Sequence, residues 1–69
     1  MEVEVTADSL LVDRPISESI HDFPPCLVIG AITRGGELVT PRGDTVIREG
    51  DHVVVFFEQS VVDEVAEKL

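Results

Sequence analysis

The alternation of apolar and polar positions divides this chain into short segments. Glu2-Val3-Glu4-Val5-Thr6 alternates strictly. It predicts a strand with one buried face and an acidic outer face, which suits a sheet edge. Cys26-Leu27-Val28-Ile29-Gly30-Ala31-Ile32 is almost unbroken apolar and predicts a second strand. Arg34-Gly35-Gly36-Glu37 then marks a two-residue hairpin turn, because adjacent glycines accept positive φ without a Cβ clash. Leu38-Val39-Thr40 is the return strand, and Pro41, lacking an N–H, ends its ladder. After the loop Arg42-Gly43-Asp44, Thr45-Val46-Ile47 predicts a short strand, and Glu49-Gly50-Asp51 a second tight turn. His52-Val53-Val54-Val55-Phe56-Phe57 is the most β-prone run, with branched and aromatic side chains throughout.

Two stretches have helical spacing. Pro15 presets φ for a first helical position, and Ile16, Ile20 and Phe23 recur at i, i+4 and i+7, on one face. Pro24-Pro25 stops that helix. At the C-terminus, Ser60 predicts an N-cap, with Asp63 at the third helical position. Val61, Val62, Val65 and Leu69 form an apolar stripe, while Asp63 and Glu64 early and Lys68 late complement the helix dipole. The order β-α-β-β-β-α, with one strand divided to give the additional run Thr45-Val46-Ile47, predicts an α+β fold: a mainly antiparallel sheet with two short helices packed on it. Residues 1–69 read as one domain, with no repeat, linker or low-complexity segment.

Size and charge narrow the function. A 69-residue chain buries a modest core, worth no more than ~3–5 kcal/mol net. Small domains often add a disulfide, a metal or a partner. One cysteine makes no internal disulfide, and His21, Cys26 and His52 form no zinc pattern. A partner subunit, and so a homodimer, is the expected device. The net charge is −9, with Lys68 the single lysine. That balance argues against nucleic acid and against an anionic membrane surface. It fits either a protein working in high salt or an ordinary acidic domain. The longest apolar runs fall far short of the ~20 residues of a spanning helix.

Candidate chemistry is sparse. His21, Asp22 and Cys26 are close in sequence, but Cys26 opens an apolar run, where cysteine behaves as a small hydrophobe. Arg42-Gly43-Asp44 matches an adhesion tripeptide, yet reads as a loop in which Asp44 bonds local backbone. Asp44, Glu49 and Asp51 do not have the spacing of a calcium loop. Gly35-Gly36 lies between strands, outside any dinucleotide-binding context. No catalytic and no metal residue is assigned, and an enzyme is not expected. Arg34 and Arg42, at two ends of one strand, are the candidate ligand-binding residues. Arginine suits bidentate contact with an anion, and a two-fold axis would present each twice. The alternative is two solvated turn arginines.

The string Ile32-Thr33-Arg34-Gly35-Gly36-Glu37-Leu38-Val39-Thr40-Pro41, then Gly43-Asp44-Thr45-Val46-Ile47, then Glu49-Gly50-Asp51-His52-Val53-Val54-Val55-Phe56 resembles the TrkA C-terminal domain. This is the C-terminal half of the RCK module, which regulates potassium conductance. The resemblance runs from about Val3 to Leu69 and departs at two places. A glycine common in the family near Val12-Asp13 is absent, and Phe57-Glu58 stands where the family more often has a glycine or small residue. The resemblance implies a cytoplasmic regulatory domain of a Trk-type potassium uptake protein. Such a domain dimerises and helps gate a TrkH-like membrane potassium transporter at the inner face of the plasma membrane. It implies no cofactor in this chain, since the NAD- or ATP-class nucleotide belongs to a preceding N-terminal domain. Two other readings stay open: a stand-alone sensor of a small ligand such as a cyclic dinucleotide, and a purely structural dimerisation module.

Overall fold

The computed structural model describes residues 1–69. The chain runs through β1 (Glu2–Glu4), α1 (Ile16–Ser19), a 3₁₀ turn (Ile20–Asp22), β2 (Val28–Arg34), β3 (Glu37–Val39), β4 (His52–Phe56), a second 3₁₀ turn (Gln59–Val61) and α2 (Val62–Lys68). The β-α-β-β-β-α order and the α+β class are those the pattern predicts. All strand pairs are antiparallel, in the order β1-β4-β2-β3. The acidic first strand lies at an edge, and β4, the most β-prone run, is central.

Register separates two faces. Val53 and Val55 of β4 are fully buried, as is Ile32 opposite Val53. With Val5, Leu11, Phe23, Leu27, Ile47 and Val65 they form the core, against which Ile16, Ile20, Val61 and Leu69 also pack. Both helices therefore cover this inner face. On the outer face, Glu2 and Glu4 of β1, His52, Val54 and Phe56 of β4, Val28, Ala31 and Thr33 of β2, and Leu38 of β3 stand in register. No element covers them.

Gly35 and Gly36 turn the β2–β3 hairpin with φ of 58° and 83°, the paired positive values that a two-residue turn requires. Gly30 sits at the irregularity between Ile29 and Ala31 in the β2–β4 ladder. A Cβ there would collide with the Phe56 ring, so the missing side chain lets that ring lie across the bulge.

Several local expectations change. Thr45-Val46-Ile47 is not a strand: it makes only isolated bridges, Ile47 parallel to Val12 and Val46 antiparallel to Pro15. Two of its carbonyls are spent on the segment leading into the first helix, with the Asp13 amide donating to the Ile47 carbonyl at 2.7 Å and the Ile16 amide to the Thr45 carbonyl at 2.9 Å. Pro15 precedes the helix instead of opening it, with an extended ψ of 145°. Ser60 caps nothing, because it lies inside the 3₁₀ turn that leads into α2. Cys26 lies just before β2 and is half-buried. In the 42–45 loop it is the Thr45 hydroxyl, not Asp44, that bonds the backbone, accepting from the Arg42 amide and donating to the Thr40 carbonyl. Asp13 adopts the left-handed conformation, with φ of 59°.

Candidate functional site

Arg34 ends β2 and points to the inner side of the hairpin. Its guanidinium meets the Asp51 carboxylate in a two-pronged pair, Nε to Oδ1 at 2.9 Å and Nη2 to Oδ2 at 2.8 Å. Nη2 also donates to the Val46 carbonyl at 2.9 Å. Asp51 Oδ2 accepts in addition from the Arg48 amide at 2.9 Å, closing the turn in which Gly50 has φ of 90°. One carboxylate thus ties the β2–β3 turn, the 46–48 segment and the entry to β4 together.

The pair is unequal in exposure. The Asp51 side chain is 2% exposed and that of Arg34 41%. Hydrogen bonding from Arg34 holds the Asp51 carboxyl below the usual carboxylate range, against the opposing effect of burial. The same bond raises the Arg34 guanidinium above its ordinary value. Asp51 is the residue that a turn reading misses. Only the fold shows its phase: Asp51, Val53 and Val55 alternate, and all three face inward.

Arg42 lies beyond β3, and its guanidinium has no internal hydrogen-bond or ion-pair partner. No bond joins it to Arg34. Of the other arginines, Arg14 pairs with Asp22, while the Arg48 side chain is free. Asp44, Glu49 and Asp51 do not assemble, since Asp51 is spent on Arg34 and no group of three His, Cys, Asp or Glu is placed to hold a metal ion. No helix is long and apolar enough to cross a membrane.

The second feature is the open outer face. Val28 is 58% exposed, Phe56 60% and Leu38 74%. Val28 and Phe56 are direct cross-strand partners, and half-buried Val54 and Ala31 pair beside them. Val28, Phe56, Val54 and Ala31 make an apolar surface on the two central strands, and Leu38 stands on the edge strand β3 opposite Thr33.

The model of the TrkA-C domain family matches residues 1–69. The chain belongs to the TrkA-C domain family. Relatives include the Trk system potassium uptake protein TrkA homolog 1 of Methanosarcina mazei, 38% identical over 91% of this chain and 14% of that protein. The TrkA protein of Azorhizobium caulinodans is 41% identical over 81% of the chain and 12% of its own length. That of Halomonas elongata is 39% identical over 74% and 11%. The chain therefore spans about one-seventh or less of these potassium uptake proteins. A solved structure described as "Structure of RCK domain with cda" superposes with a TM-score of 0.76 at 25% identity, covering all of this chain and 94% of that one. TrkA-C domains are regulatory modules without catalysis, and this one is not an enzyme.

Proposed function

We propose that this TrkA-C domain is the regulatory domain of a Trk-type potassium uptake protein. It pairs with a second copy of itself and, through the rest of its polypeptide, helps gate a TrkH-like membrane potassium transporter from the cytoplasmic side. The family match and the relatives named for potassium uptake support the transport role. The observation that carries the pairing is the uncovered apolar outer face, a surface of the kind that marks an interaction site. Gating then follows from two arrangements of the pair, shifted by whatever binds one better than the other. A nucleotide of the NAD or ATP class would bind a separate N-terminal domain, and this chain would hold no cofactor.

A small anionic ligand at Arg34 and Arg42 is the second part of the reading. Arg42 has no internal partner, and Arg34 keeps a part-exposed guanidinium despite its bond to Asp51. A two-fold partner would bring a second copy of each arginine to the same ligand. Ligand sensing by the domain alone, for example of a cyclic dinucleotide, is the alternative that the unpartnered Arg42 favours.

Thermal unfolding against cyclic dinucleotides, adenine and nicotinamide nucleotides and divalent cations tests the ligand reading. A ligand at 100 times its Kd adds ~2.7 kcal/mol, which raises the midpoint of so small a domain by roughly 10 °C or more. A rise abolished by Arg42→Ala supports an anion site there. Flat midpoints across the panel leave a dimerising transmitter. The pairing is tested by Val54→Glu: an unchanged association state and fold would refute it.

A further inference from the structure

We draw no further inference here: the strongest candidate, the apolar surface patch of Val28, Val54 and Phe56 on the outer face of the sheet, belongs to the pairing already proposed, and nothing in the structure shows what else covers it.

Discussion

Asp13 offers a clean test of how this chain holds its 42–47 segment in place. Its φ of 59° is a left-handed value, which costs an ordinary L-residue about 1–2 kcal/mol and aspartate somewhat less. Its amide bonds the Ile47 carbonyl at 2.7 Å beside the Val12–Ile47 bridge, so the conformation is held by the contact that orders the loop. The exposed side chain makes no hydrogen bond or ion pair. Asp13→Gly therefore removes conformational strain and no contact, but adds freedom to the unfolded chain, which offsets part of the gain. The net expectation is about 0.5 kcal/mol of stabilisation, or roughly 2–4 °C in midpoint for a domain of this size. Asp13→Val places a β-branched side chain in the same conformation, where it bears in full a cost that aspartate partly escapes, and should lose about 1 kcal/mol relative to wild type, near 4–8 °C. Thermal unfolding of the three proteins under one buffer condition measures both. A lower midpoint for Asp13→Gly, or an unchanged one for Asp13→Val, would refute the assignment of strain to this residue.

Three further perturbations probe other parts of the fold. Ser19 is fully buried and its hydroxyl has no partner, so Ser19→Ala should raise stability by about 1 kcal/mol in denaturant unfolding; destabilisation would show an unrecognised hydrogen bond. Gly30→Ala should displace the Phe56 ring, and a double-mutant cycle with Phe56→Ala should be non-additive, the alanine at 30 costing less once the ring is gone; strict additivity would contradict that contact. Asp51→Asn should cost about 1–2 kcal/mol at neutral pH, discounted because Arg34 is part-exposed to water. The folded Asp51 carboxyl is held below its unfolded value, so its stabilisation is present above about pH 4 and lost as pH falls through the folded value. The gap between wild type and Asp51→Asn should close in acid, and a constant gap would contradict the pairing as the cause.

Much of the fold was legible because period-2 alternation and glycine pairs are local signals. Glu2 to Thr6 alternates visibly, and Gly35-Gly36 marks its hairpin without help from the rest of the chain, but the unbroken apolar run Val53 to Phe57 carries no phase, so that Val53 and Val55 face inward and Val54 and Phe56 outward is known only from the fold. Sheet order was not legible. That β4 lies between β1 and β2 is settled by long-range pairing, such as Val3 with Val53, which no local pattern encodes. Thr45-Val46-Ile47 has strand propensity but spends two of its carbonyls on Asp13 and Ile16, a tertiary demand that overrides propensity. The candidate site was half-visible. Arg34 was marked by its turn, whereas Asp51 read as a solvated turn acid until its burial placed it under Arg34. The apolar character of Val28, Leu38 and Phe56 was plain, but only strand register puts them on one face away from the helices.

The claim that this face is closed by a second copy is most directly tested by mass. Light scattering on the eluting chain in 0.5 M KCl should give twice the 7.5 kDa of the single chain, and Leu38→Glu should give 7.5 kDa with the same fold. A wild-type chain that stays at 7.5 kDa at high protein concentration, or a Leu38→Glu chain that still doubles, would contradict it.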